Sequence, residues 1–124
     1  MVTHPDHDVL LDAAITRSDN DAAERLWAGL GEPTVAARRV EAVLTAAGDT
    51  TPVQRDRIRA GFTAFGQTLW PLSQQVTYIS RSFCDPANKR IFDLMKDIVA
   101  EQRWGLGLLG GARFKGGWGP DLSG

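Results

Sequence analysis

The chain has 124 residues, with 14 basic against 15 acidic side chains and a formal net charge of -1. That length suits one domain with a core and is short for two. The even charge argues against nucleic acid as the main partner, because phosphate binding needs clustered excess cation. Hydrophobic residues at 43% and charged residues at 23% exclude wholesale disorder. No apolar run approaches the ~20 residues of a membrane helix, so no membrane span is expected. A single cysteine, Cys84, excludes an internal disulfide and a multi-cysteine metal site.

Helical periodicity accounts for most of the chain. Residues 6–17 carry Leu11, Ala14 and Ile15 on one face, with Pro5 suited to a first turn. Ala22, Ala23, Leu26, Trp27 and Leu30 form a second stripe that Gly31 can cap. Pro33 restarts a helix with Ala36, Val40, Val43, Leu44 and Ala47 at helical spacing, ending at Gly48. Residues 49–70 have no clean period and read as a long loop, with at most a helical turn or two over 53–60. Phe62, Phe65 and Trp70 predict that this loop is ordered, because aromatic side chains drive burial. Pro71 opens a helix with Leu72, Val76, Ile79 and Phe83 in line. Pro86 opens another, in which Ile91, Leu94, Met95, Ile98 and Val99 give the cleanest amphipathic pattern. Eight of the 13 glycines follow Trp104, and within this tail residues 112–115 suit a short strand before Gly116 and Gly117. Five helices, one long loop and the start of a strand are predicted.

Two short motifs stand out. Ser18-Asp19-Asn20 sits at a break between helices, where all three residue types are also favoured caps. Lys115-Gly116-Gly117 lies in the glycine-rich tail, where a lysine beside glycines usually marks an exposed turn. Taken together and in this order, with the flanking run Ala13 to Ala23, the stretch Gln102 to Gly107 and Phe114 to Pro120, they resemble the penicillin-recognising serine hydrolases. That superfamily includes the class A β-lactamases and the penicillin-binding proteins, whose motif set is Ser-x-x-Lys, Ser-Asp-Asn and Lys-(Thr/Ser)-Gly. Phe65-Gly66-Gln67-Thr68-Leu69-Trp70 fits the same group in its actinobacterial form, and the resemblance covers nearly the whole chain.

The resemblance implies a site. Ser18 and Lys115 would be its catalytic pair: Ser18 relays a proton to the leaving nitrogen, and Lys115 supplies positive charge that biases proton transfer and attracts an anionic group. Asn20 would offer its amide to a substrate carbonyl, and Asp19 would hold the loop. Gly116, Gly117 and Trp118 would line the substrate, with Gly117 allowing close backbone approach. No cofactor and no metal is implied. His4, Asp6, His7 and Asp8 lie at the N-terminus beside Pro5, a place that does not make three or four ligands converge. The expected partner is a small-molecule or peptide-like substrate, met by a monomer.

Three departures from the family pattern bear on activity. None of Ser18, Ser73, Ser80, Ser82 and Ser123 is followed by lysine at the third position, so the nucleophile motif is missing. Glutamates stand at 24, 32, 41 and 101, and none falls between 42 and 100, where class A enzymes carry their deacylating base. Gly116 replaces the middle hydroxyl residue of the lysine triad. The expectation is therefore a truncated, mainly α chain: one partial domain over 1–124, with a helical subdomain over 5–103 and a glycine-rich strand or turn segment over 104–124. It would be inactive as given and would have a β-lactam, ester or peptide-like amide as the substrate of its full-length parent. Family members are exported, whereas Met1 to Asp6 does not form a signal peptide. With the sheet neighbours of this fragment missing, Phe114 and Trp118 are expected to be partly exposed. The rival expectation is a non-enzymatic helical module that binds a partner through the surface where the missing sheet would sit. Cys84 is expected to be a buried thiol, and Trp70 and Trp104 are expected to be loop and core anchors.

Overall fold

The computed structural model describes residues 6–117. The fold is mainly α. Five α-helices run in chain order: α1 His7–Thr16, α2 Asn20–Ala28, α3 Pro33–Ala46, α4 Leu72–Ser82 and α5 Lys89–Leu94. Short 3₁₀ turns cover Phe65–Gln67, Pro86–Asn88, Ala100–Gln102 and Gly105–Leu108. Among the described residues there is no strand: residues 112–117 are extended but pair with no neighbour as a sheet. The predicted strand thus lacks the partner that would make it one.

The chain divides into two compact units, one built from residues 6–26 with 86–117 and the other from Trp27–Asp85. In the first unit, α1 packs against α5. Ala13, Ala22, Phe92, Leu94 and Ile98 form its buried interior, and Thr16 is buried beside them. The buried side of α1 is therefore set by Ala13 and Thr16, with Leu11, Ala14 and Ile15 only half-buried. A buried threonine is tolerated because its Oγ1 donates to the Asp12 carbonyl at 2.8 Å.

The long amphipathic pattern expected from Pro86 to Val99 stops as a regular helix at Leu94. Beyond it, backbone groups that would have continued the helix make other bonds. The Val99 N–H donates to the Thr16 carbonyl at the end of α1 (3.0 Å), and the Met95 carbonyl accepts from the Phe114 N–H (3.0 Å). Arg103 reinforces the turn by donating to the carbonyls of Ile98 (2.9 Å), Gly107 (3.3 Å) and Lys96. Tertiary bonds thus override helical propensity here, a weak preference of at most ~0.7 kcal/mol per ordinary residue.

In the second unit, Ala36, Ala37, Leu44 and Ala47 bury one side of α3, while Val43 remains 54% exposed. Gly48 ends this helix at φ +83°, a left-handed conformation that only glycine adopts freely. Where its Cβ would be, the Arg81 guanidinium lies 2.6 Å away. The loop that follows is ordered, as its aromatics predict, and contains no helix over 53–60. Side chains bond its backbone: Glu41 accepts from Val53 N–H (2.9 Å), Thr68 from Gln54 N–H (3.0 Å) and Gln67 from Arg59 N–H (3.0 Å). Trp27 and Phe65 add a tilted ring contact at 5.2 Å.

Asp49 is the centre of this loop. It is fully buried, and its carboxylate accepts from the Thr51 N–H (2.9 Å), the Thr51 hydroxyl (2.6 Å) and the Trp70 indole N–H (2.7 Å). Burial pushes its pKa up, but the bonds from Thr51 and Trp70 outweigh that and hold it below the ordinary 3.8. Trp70 is thus a loop anchor through its polar edge.

One expectation about burial is corrected, and one apolar line stays outside the interior. Leu72, Val76 and Ile79 on α4, with Phe83 just past its end, are 74%, 59%, 44% and 45% exposed. Cys84 is exposed as well, because it follows the end of α4 at the surface. No described helix is long and apolar enough to cross a membrane.

Trp70→Phe removes one donor from a buried carboxylate, so the second unit is expected to melt several degrees lower. Because the folded pKa of Asp49 lies below its unfolded value, the unfolded chain takes up the proton first. The stabilisation is complete above the ordinary carboxylate value and fades as pH falls through the lowered folded one. Thermal melts of both chains from neutral pH to below 3.8 should converge at the acid end.

Candidate active site

The Ser-Asp-Asn stretch connects α1 to α2 in one tight reversal. The carbonyl of Ala13 accepts from both Arg17 N–H and Asp19 N–H, each at 3.2 Å, which closes the end of α1. Ser18 between them has φ +53°, the only non-glycine residue with positive φ among those described. Left-handed backbone costs a residue with a Cβ ~1–2 kcal/mol, so the reversal holds strain at this position. Asp19 then caps α2: its Oδ1 accepts from Ala22 N–H (3.0 Å) and its carbonyl from Ala23 N–H (3.1 Å). Asn20 is the first residue of α2 and is exposed. Of the three residues of the motif, Asp19 is the one whose side chain caps α2.

Lys115 reaches the same place from the extended tail, 97 residues away in sequence. Its Nζ donates to Ser18 Oγ at 2.6 Å and to the Gly116 carbonyl at 2.6 Å. The residue as a whole is exposed, but partial burial of the ammonium lowers its pKa from the ordinary 10.5. With the ammonium donating to Oγ, the Ser18 hydroxyl proton is free to point elsewhere. Ser18 is half-buried.

The lysine is positioned by its neighbours. Phe114 N–H is held by the Met95 carbonyl, and the Phe114 ring meets Trp104 edge-on, with centroids 5.0 Å apart and planes at 86°. On its other side the ring crosses Gly107, where an added Cβ would lie 2.7 Å from the ring. Gly107 is buried and is required by this contact. Gly116 is less tightly constrained: a Cβ there would stand 3.0 Å from Trp104 Nε1 and 3.5 Å from the Phe114 ring, so the exposed indole would have to give by a few tenths of an ångström to admit one.

The structure thus brings Ser18 and Lys115 into direct contact, places Asp19 at the cap of α2, and leaves Asn20 exposed at the start of α2. Gly117 faces open space, with nothing within 4 Å of an added Cβ. Trp118, predicted to line the substrate, lies outside the described residues. Phe114 is half-buried. Trp104 is corrected from core anchor to a 59% exposed ring beside the site. Helical periodicity gave no sign of this, because Trp104 sits outside any helix. Among the described residues no three histidine, cysteine or acidic side chains converge on a point that could hold a metal. Comparisons with protein-family models, curated proteins and solved structures find no match to this chain.

The strain at Ser18 makes a measurable difference between two substitutions. Ser18→Gly is expected to raise stability by about 1 kcal/mol, a few degrees in melting temperature, by relieving the positive φ. Ser18→Ala, which loses the same hydroxyl but keeps the Cβ, should not. Paired thermal melts of the two variants check this.

Proposed function

We propose that this chain forms two corners of the active site of a β-lactamase-related serine hydrolase. Ser18 of Ser-Asp-Asn is the proton relay and Lys115 of Lys-Gly-Gly is the electrostatic partner. The observation that carries this reading is the 2.6 Å bond between Lys115 Nζ and Ser18 Oγ. Each motif alone has an ordinary structural explanation, but such a bond between two residues 97 positions apart is what the resemblance requires. The reaction is acyl transfer through a serine ester, with a β-lactam, an ester or a peptide-like amide as substrate. Activation of a serine needs a base within hydrogen-bond reach. Ser18 has Lys115 at that distance, yet it occupies the relay position of the motif set. The nucleophile, the serine of Ser-x-x-Lys, is not among these 124 residues.

In this scheme Ser18 accepts a hydrogen bond from the lysine ammonium and passes its own proton to the departing nitrogen as the acyl bond breaks, taking in its place the proton that the nucleophilic serine gave up. Lys115 stabilises the negative charge that builds near the site, which is the larger effect of the two. Asn20 and the open face at Gly117 receive the substrate chain. The lack of a glutamate between 42 and 100 argues for slow deacylation, because no family-type base activates the water.

A second reading, a helical module that binds a partner protein, is favoured by one observation. Leu72, Val76 and Ile79 make an exposed apolar line on α4. The two readings separate by labelling. This chain treated with a fluorescent penicillin or a fluorophosphonate is expected to remain unmodified. A longer chain from the same gene that includes an upstream Ser-x-x-Lys should be acylated, and Lys115→Met in it should slow acylation by roughly 10²-fold or more. An upstream reading frame with no Ser-x-x-Lys, or a longer chain that resists both reagents, overturns the hydrolase reading in favour of the partner-binding one.

A further inference from the structure

A helix at a protein surface ordinarily buries its apolar side and turns its polar side to water. Helix α4 does the reverse. Its inward side is polar: Ser82 is buried and donates to the Tyr78 carbonyl at 2.6 Å, and Gln74 Oε1 is buried with no hydrogen-bond partner among the described residues. Arg81, the only charged residue of α4, also turns inward, its guanidinium 2.6 Å from the place of a Cβ added to Gly48. At about 3.6 residues per turn, the side opposite these groups carries the exposed Leu72, Val76 and Ile79. Their spacing of four residues and then three is that of a helix-pairing seam. No other described helix exposes a line of that spacing, so within this chain the matching seam is α4 of another copy.

The residues that flank the line, Ser73, Gln75 and Ser80, are uncharged. A face chosen by a partner of opposite charge would carry complementary charges on its rim, and this one carries none. We infer that α4 is a self-association face, on which a second copy of this chain packs Leu72, Val76 and Ile79 against the same three residues. The contact is isologous, with Val76, the middle residue, close to its own counterpart at the two-fold axis. Uncharged flanks let two identical faces close without setting like charges against each other, and side chains of one seam fit between those of the other. Three side chains of one short helix cover far less than the ~800 Å² per partner of a standard interface, so the association is weak and reversible. The monomer expected from the sequence is then the dilute state of the chain. The inference takes its surface from the partner-binding reading and names the partner, and it makes no use of Ser18 or Lys115.

Dilution of the uniformly ¹⁵N-labelled 124-residue chain tests this, read by two-dimensional NMR and sedimentation equilibrium. A range from about 1 mM to about 20 μM brackets the affinity expected of so small a contact. The expected result is one isotherm, in which the backbone amides of residues 72–83 move with concentration and the average mass rises towards that of a dimer. Val76→Glu sets two carboxylates at the axis and should weaken association roughly tenfold or more, and Val76→Lys should do the same. Val76 is exposed, so neither variant disturbs a core, and unchanged amides outside α4 report an intact fold. An equimolar mixture of the two variants should recover association at low salt, which only contact between copies at this residue produces. Val43→Glu, at an exposed site on α3, should leave the isotherm unchanged. The inference is overturned if the α4 amides do not move over this range, if the concentration-dependent amides lie elsewhere, as at residues 106–109, or if Val76→Glu associates as the parent does. It is also overturned if the mixed variants stay monomeric. Such a failure removes the second copy as the partner and leaves the partner-binding reading to the acylation test on a longer chain. Acylation there refutes that reading without touching the dilution result.

Discussion

The candidate site depends on one backbone hydrogen bond, from the Phe114 N–H to the Met95 carbonyl. Residues 112–117 have no sheet to belong to, and the turn bond from the Ala112 N–H to the Leu109 carbonyl (3.1 Å) holds only where they begin. The bond to Met95 fixes the segment against the end of α5. The Phe114 ring, between Trp104 and Gly107, then sets its direction. Lys115 follows as the next residue, and its reach to Ser18 is a consequence of that anchoring. The regular helix ends before that carbonyl is needed: the N–H groups of Lys96 and Asp97 turn to the carbonyls of Asp93 and Leu94, three residues back rather than four.

Ser18 is held with comparable economy at the other side of the contact. Two amides converge on the Ala13 carbonyl, and Asp19 caps α2. A residue with a Cβ is thereby kept at positive φ. Strain of this kind persists only where the surroundings over-determine the backbone, and two helix ends meeting across three residues provide that. The loop around Asp49 uses another device: a buried carboxylate that collects donors from Thr51 and Trp70. Both places show polar groups setting backbone conformation where apolar burial is thin. The buried interior consists largely of alanine, with Phe92, Leu94, Leu44 and Ile98 as its larger members.

Much of the apolar surface that periodicity assigns to the interior remains outside it. Leu72 and Val76 on α4, and Leu106, Leu108 and Leu109 in the glycine-rich stretch, are each more than half exposed. Helical spacing identifies a face that could be covered. It does not say what covers it, because that depends on which element arrives from elsewhere in the chain.

From the sequence alone, the mainly α class, the five helices, the long ordered loop, and Ser18 and Lys115 as residues to watch were all legible. Caps, prolines, glycines and 3.6-residue periodicity are local signals, and local signals survive in a single chain. What only the tertiary structure decided are the features made by residues far apart. The bond between Ser18 and Lys115 joins positions separated by 97 residues, and no spacing rule encodes it. The stop of α5 at Leu94, the buried carboxylate of Asp49, and the indole of Trp104 over Gly116 are of the same kind. Each arises because a backbone or polar group finds its partner only after the chain has folded back on itself.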